Sequence, residues 1–182
     1  MKSFATAFIF AALPAFAAVT AHAADGPKSV ALVRAMRTDE ISAATLKFAF
    51  LNGEMVNSFG NTKASCVRRV PYSDFTAPWA RVVDTVLSPK EIEEALVFYQ
   101  SDAGVKFING MLRRMREHQG KDTVLPEIPG KEDFTDAQKA EISKFSSSAI
   151  GRKVMGKDLI ASPAAVEAGS EMGRKIAQTC GK

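Results

Sequence analysis

The sequence predicts an all-α protein, a compact helical bundle that contains two copies of a helix-corner-helix unit. Three observations support this prediction. Apolar residues recur at helical spacing along most of the chain, and helix-capping signals precede several of these segments. No segment alternates Val, Ile, Thr and aromatic residues between turn signals, as a strand would.

The N-terminus has the three-part pattern of a secretory signal peptide. Lys2 supplies the positive charge, residues 4–20 are almost wholly apolar or small, and Ala21-His22-Ala23 offers a cleavage site. An uncleaved anchor is the alternative, but the apolar run is shorter than the roughly 20 residues that span a bilayer. We therefore expect cleavage near Ala23, a periplasmic or secreted location, and one helical domain over residues 24–182 without a stable membrane span.

Charge and cysteine content narrow the class of protein further. Removal of residues 1–23 lowers the formal net charge from +4 to +3, which favours anionic envelope components but is too small to indicate a nucleic-acid partner. Cys66 and Cys180 are expected to form a structural disulfide, with two separate buried thiols as the alternative. No CxxC motif is present, so a thiol oxidoreductase is not expected.

The segments on either side of the proposed units also have helical patterns. Residues 27–59 predict two helical pieces with Thr38 as the cap between them, whereas residues 61–76 are polar and irregular. Pro78 is expected to open a short helix, and Ser162-Pro163 to start the last one. One face of this last helix suits close packing against a neighbour; it comprises Gly169, Gly173, Ala177 and Cys180.

The first unit, at about residues 87–118, contains the run LSPKEIEEALVFYQSDAGVKFINGM. Ser88 caps its first helix, Pro89 occupies the first helical position, and Glu91 completes a capping box. Ser101 is expected to cap the second helix. Gly104 would let the two helices meet closely at the corner.

The same pattern returns 47 residues later in FTDAQKAEISKFSSSAIGRKVM, within a second unit at about residues 134–160. The matching positions are the caps, the capping-box partner, an aromatic, a glycine and a lysine. They pair Thr135 with Ser88, Gln138 with Glu91, Phe145 with Phe98, Ser148 with Ser101, Gly151 with Gly104, and Lys153 with Lys106. This agreement favours an internal repeat. We expect each lysine to pair with the helix before it, through Glu94 or Glu141.

The run LSPKEIEEALVFYQSDAGVKF resembles the core motif of an uncharacterised bacterial exported family, domain of unknown function 2059. The resemblance rests on Leu87, Ser88, Glu91, Phe98, Tyr99, Ser101, Gly104, Lys106 and Phe107. The chain departs from the motif at Asp102, where proline is often seen, and at Ser146, which stands where the first unit has Tyr99. The resemblance implies an exported helical domain and brings no catalytic residues.

Catalytic and metal-binding patterns are weak. His118 is the one histidine left after cleavage, and the sequence has no HExxH, GxSxG, Walker or SxxK motif. His118 could belong to a Ser-His-Asp triad whose members meet only in the fold. Alternatively, it stabilises the C-terminus of a helix through the helix dipole. A pair of carboxylates for glycoside hydrolysis could come from Glu91, Glu93 and Glu94. However, acidic side chains in the first turn of a helix are stabilised by the helix dipole, which explains these residues without catalysis. We expect that the protein is not an enzyme and that it binds no cofactor and no metal ion.

The best candidate for a ligand surface is the basic stretch Arg113, Arg114, Arg116 and Lys121, whose alternative interpretation is a solvated helix face. The sequence therefore predicts an exported, non-catalytic protein that binds another protein or an anionic envelope component. Two alternatives stay open. One is a periplasmic inhibitor or immunity protein against an envelope-acting toxin, and the other is an enzyme of unrecognised type.

Overall fold

A computed structural model describes residues 27–120, 124, 125, 128 and 133–182. The expected signal peptide and Lys121 lie outside these residues. Within them the chain forms eleven α-helices and one 3-10 helix, and an isolated bridge between Thr62 and Gly181 is the only β-type pairing. The all-α prediction is confirmed.

The helices follow one another with short connections. In chain order they are α1 Lys28–Ala35, α2 Thr38–Leu51, α3 Val56–Phe59, α4 Ala64–Arg69, the 3-10 helix Tyr72–Phe75, α5 Thr76–Val86, α6 Pro89–Tyr99, α7 Asp102–Gln119, α8 Asp136–Ser147, α9 Ala149–Met155, α10 Lys157–Ile160 and α11 Pro163–Cys180.

Helix α5 is central to the core. It packs against α1, α2, α10, α11 and the 3-10 helix. Val82 and Val83 on α5 are each 1% exposed, and they share one apolar cluster with Leu32 of α1 and Ile176 of α11. Two adjacent β-branched residues, both buried, require partners on more than one side of this helix. The core therefore surrounds α5 on more than one side.

The caps predicted at Ser88, Ser101, Thr135, Ser148 and Ser162 are confirmed. Ser88 and Thr135 each form a capping box, with Glu91 and Gln138 as the respective partners. The Gly104 amide donates to Ser101 Oγ at 3.2 Å, and the Gly151 amide donates to Ser148 Oγ at 2.9 Å. Ser162 caps α11 in the same manner. Each cap satisfies an amide that has no partner within its helix.

Several side chains make contacts between the α6–α7 pair and the α8–α9 pair. The Phe98 and Phe145 rings stack with centroids 3.9 Å apart and planes 8° from parallel. Lys106 Nζ donates to Gln138 Oε1 at 3.2 Å, while Lys153 Nζ donates to the Glu91 carboxylate at 2.9 Å. The expected pairing of these lysines with Glu94 or Glu141 on the preceding helix is therefore wrong. Each lysine instead reaches the capping box of the other helix pair.

The boundary between α1 and α2 differs from the prediction. Thr38 is the first residue of α2 rather than its cap, because the Ile41 amide already donates to the Arg37 carbonyl at 3.0 Å. Arg37 is in the left-handed region with φ of 51°. Its guanidinium holds it there through bonds to Glu40 at 2.6 and 2.9 Å.

Residues 61–76 are more ordered than their composition indicated. They contain α4 and the 3-10 helix, where we expected an irregular segment. A six-residue helix spans less than two turns, so it is too short to produce a recognisable apolar period. Its position depends on contacts with the end of α11, which no local pattern contains.

Candidate functional site

A disulfide organises one end of the molecule. Cys66 of α4 is bonded to Cys180, the last residue of α11, across 114 residues of sequence. Beside it the Lys63 amide donates to the Cys180 carbonyl at 2.8 Å, and the Lys182 amide donates to the Asn61 carbonyl at 3.3 Å. The residues before α4 and those after α11 therefore run side by side, and the predicted disulfide is confirmed.

This arrangement gathers cationic side chains that are far apart in sequence. Five exposed cations flank the disulfide, and we call them the cysteine-end surface: Lys63, Arg68, Arg69, Lys175 and Lys182. Within the described part of the chain, Lys175 alone of the five forms an ion pair, with Asp74 at 3.0 Å. The surface therefore has an excess of positive charge, since its other four cations form no ion pair with a described carboxylate.

A cavity of about 180 Å³ opens between α4, α11 and the 3-10 helix. Its apolar wall includes Phe75, Met172 and Ile176, which belong to the buried core. Arg69, Asp74 and Lys175 supply charged groups to the same cavity. The site thus combines an apolar interior with cations, and it lies within the cysteine-end surface.

A buried lysine supports the last turn of α4. Lys47 of α2 is 2% exposed, and its ammonium donates to the Arg68 carbonyl at 3.3 Å. The same ammonium lies 4.5 Å from the centre of the Tyr72 ring, a cation–π distance. Burial lowers the pKa of Lys47. A cation at the C-terminal carbonyls of α4 fixes the backbone that presents Arg68 and Arg69.

The basic stretch predicted as a ligand surface lies in the last turns of α7. Arg116 Nη1 donates to the Leu125 carbonyl at 2.6 Å, so this side chain holds the segment that follows the helix. Arg113 and Arg114 also have contacts, and Lys121 lies outside the described residues. The structure therefore gives Arg116 a structural role, while the interaction role of this stretch stays a prediction.

The acids at the start of α6 are held in charged interactions. The Ser88 backbone amide and then Lys153 lower the pKa of Glu91 to about 2, and Lys28 lowers the pKa of Glu93. A carboxylic acid catalyst needs a raised pKa to carry a proton near neutral pH. Glu91 and Glu93 thus have the wrong electrostatics for a general acid, which agrees with their interpretation as structural residues.

Other chemical signals are sparse in the described residues. His118 is exposed at the end of α7. Within the same residues no three His, Cys, Asp or Glu side chains lie close enough together to hold a metal ion. In the part of the chain that the structure describes, no helix combines the length and apolar character needed to cross a membrane.

The chain matches no family model, no curated protein and no solved structure. The resemblance to domain of unknown function 2059 therefore stays a prediction. The functional interpretation rests on the geometry of the chain itself.

The cysteine-end surface has no single sequence motif, although its parts are present in the sequence. Arg68 and Arg69 follow Cys66 by two and three residues, and Lys175 and Lys182 flank Cys180. Combining the predicted disulfide with the charges near each cysteine would have located the surface. The cavity had no such signal, because its lining comes from three separate helices.

Proposed function

We propose that this chain is an exported, non-catalytic protein whose cysteine-end surface binds an anionic component of the cell envelope. One observation carries the proposal: five exposed cations flank the disulfide, and only Lys175 has an acidic partner among the described residues. Uncompensated surface charge of one sign attracts ligands of the opposite sign and accelerates their association. The formal net charge, +4 for the whole chain and +3 after removal of residues 1–23, acts in the same direction.

Export is part of the proposal. The signal-peptide pattern of residues 1–23 supports it. The Cys66–Cys180 disulfide adds support, since such bonds persist in the periplasm and outside the cell and are rare in the cytosol. Both features favour an oxidising compartment, where envelope polymers and lipids supply anionic groups.

We further propose that the chain belongs to domain of unknown function 2059 and that residues 87–118 and 134–160 are two copies of one unit. The matching caps and glycines support the duplication, and so does the exchange of lysine contacts between the two helix pairs. In this proposal the duplicated helices form a rigid frame beside α5. The binding role belongs to α4 and α11, outside the copies.

The test is co-sedimentation of the oxidised protein with the envelope fraction of its own host, before and after protease treatment of that fraction. We expect binding that weakens with added salt and survives the protease. Replacing Lys63, Arg68 and Lys182 together by Glu should abolish it, because these exposed cations have no ion-pair partner among the described residues.

The matched control replaces Lys90, Lys139 and Lys144 by Glu. These three cations are exposed on α6 and α8, and their replacement changes the net charge by the same amount. We expect the control to bind as the unchanged protein does. Equal loss of envelope binding in both variants would show that binding depends on net charge alone and would contradict the proposed surface. Loss of binding after protease treatment would identify a protein partner instead.

A further inference from the structure

We propose that the cavity between α4, α11 and the 3-10 helix is a binding site for a small organic acid with a single negative charge. The apolar part of the ligand enters the cavity, and its carboxylate faces Arg69. This inference rests on the proposed function in one respect, since it assigns a specific ligand class to the same cysteine-end surface.

The size of the cavity limits the apolar part of the ligand. Its volume is about 180 Å³. An apolar protein cavity of roughly 150 Å³ accommodates a benzene molecule. One aromatic ring, or an alkyl group of similar volume, therefore fills the space against Phe75, Met172 and Ile176. These three side chains are at most 3% exposed and form a fixed inner wall, so most of the apolar surface that the ligand covers comes from half-buried Val70 and exposed Pro71, which also line the cavity.

The charges around the cavity select an anion. The Lys175 ammonium already forms an ion pair with Asp74, because its Nζ lies 3.0 Å from Asp74 Oδ2. Arg69 lines the same cavity and has no ion-pair partner among the described residues. A guanidinium presents paired N–H donors that match the two oxygens of a carboxylate. Arg69 is thus the residue that a ligand carboxylate would contact, and Asp74 opposes that ligand by repulsion.

The two requirements together define the ligand class. Inorganic phosphate satisfies the charge but leaves the apolar wall without a partner. A neutral aromatic fills the cavity but makes no ion pair with Arg69. An aryl or short alkyl monocarboxylate satisfies both, because its apolar surface leaves water while its charge stays at the rim.

Three probes separate these contributions: phenylacetate, its neutral amide phenylacetamide, and inorganic phosphate. Each is titrated into the full-length oxidised chain while the amide resonances of residues 66–75 and 172–180 are followed by NMR. We expect saturable binding of phenylacetate at these resonances. The amide and phosphate should each bind at least about tenfold more weakly, as the loss of a charge-assisted contact or of apolar burial implies.

Variants with opposite expected signs test the role of each charge. R69Q should weaken phenylacetate binding at least about fivefold, since it removes a charge-assisted hydrogen bond. D74N should strengthen it, because it removes the opposing carboxylate and frees Lys175. R174Q on α11 is the matched control, and it should leave the affinity unchanged, since Arg174 is exposed but does not line the cavity.

The outcomes are distinct from those of the envelope test. Equal affinities for phenylacetate and phenylacetamide would overturn the inference, as would absence of saturable binding or an equal effect of R174Q and R69Q. If any of these occurred while envelope binding still depended on Lys63, Arg68 and Lys182, the proposed function would stand without the small-acid site. If the protein did not bind the envelope fraction but phenylacetate bound as expected, the proposed function would fail and the small-acid site would stand.

Discussion

At the corner between α6 and α7, the backbone of one helix lies directly against the next. A β-carbon built on Gly104 would fall 2.0 Å from the Phe98 carbonyl oxygen, and one built on Gly151 would fall 1.8 Å from the Phe145 carbonyl oxygen. Both distances are far inside van der Waals contact. Backbone atoms cannot move aside as a flexible side chain can, so each corner depends on the absence of a methyl group.

Replacement of Gly104 by alanine is therefore expected to lower the free energy of unfolding by about 1–3 kcal/mol, in the range of overpacked sites. Gly169 in α11 is the control, because a β-carbon there meets nothing within 4 Å. Alanine at Gly169 should raise the free energy of unfolding by about 0.5–1 kcal/mol through helix propensity. Urea denaturation of the two variants measures both, and a neutral Gly104→Ala would contradict the close corner.

Residue roles that depend on neighbours within a few positions in sequence could be predicted, whereas roles that depend on residues far away in sequence could not. Ser88, Ser101 and Thr135 were identified as caps because each contacts an amide three residues away, within reach of a sequence pattern. Arg69 has no such local signal, because its role depends on a cavity that residues of α4, α11 and the 3-10 helix form together. A pattern read along the chain contains the first kind of information and lacks the second.

At the scale of elements, the α6–α7 and α8–α9 pairs are joined by side chains that cross between them. Lys153 of α9 reaches Glu91 at the start of α6, and Lys106 of α7 reaches Gln138 at the start of α8. Each lysine therefore adds a donor to a capping-box side chain. The sequence showed that the two lysines recur, but it could not show that they exchange partners, because that depends on how the helix pairs pack.

The Glu91 carboxylate should make stability depend on pH. Its pKa lies at about 2 in the folded protein, below the ordinary 4.5. A lowered folded-state pKa stabilises the fold above the unfolded pKa, and this contribution is lost as the pH falls from about 4.5 toward 2. Replacement by Gln should flatten that part of the pH profile, since Gln keeps the capping acceptor, as Gln138 does in α8, but carries no charge.

Denaturation at several pH values measures the difference in unfolding free energy between the unchanged protein and E91Q. The difference should be largest above about pH 4.5 and disappear near pH 2. The control is E94Q on the same helix, whose carboxylate lies 3.8 Å from Lys90 at an exposed site. A similar pH profile for both variants would contradict the special role of the Lys153–Glu91 contact.

For the whole molecule, the disulfide links the segment around α4 to the end of α11. It closes a loop of 114 residues that includes α5, the centre of the core. Restricting so long a loop lowers the entropy of the unfolded chain. The two cysteines could be assigned to one bond from their number alone, whereas the cationic surface that the bond assembles required the folded structure.

Replacement of both cysteines by alanine is expected to lower the free energy of unfolding by about 2–5 kcal/mol. Chemical denaturation of the oxidised protein and the double variant measures this difference. The unchanged protein under reducing conditions is the control, and it should match the double variant closely. A variant as stable as the oxidised protein would show that α4 is held by its noncovalent contacts alone.

The spacing of the two cysteines also determines how long Cys66 exists without its disulfide partner during synthesis. At about 5–20 residues per second, the 114 residues from Cys66 to Cys180 take roughly 6–23 s to make, and throughout that time the Cys66 thiol has no partner in its own chain. With two cysteines in the sequence, no incorrect pairing within one chain is possible. The competing disulfides are therefore those with other molecules. The yield of native protein should depend on the concentration of exported chains that still have free thiols, and not on disulfide isomerisation.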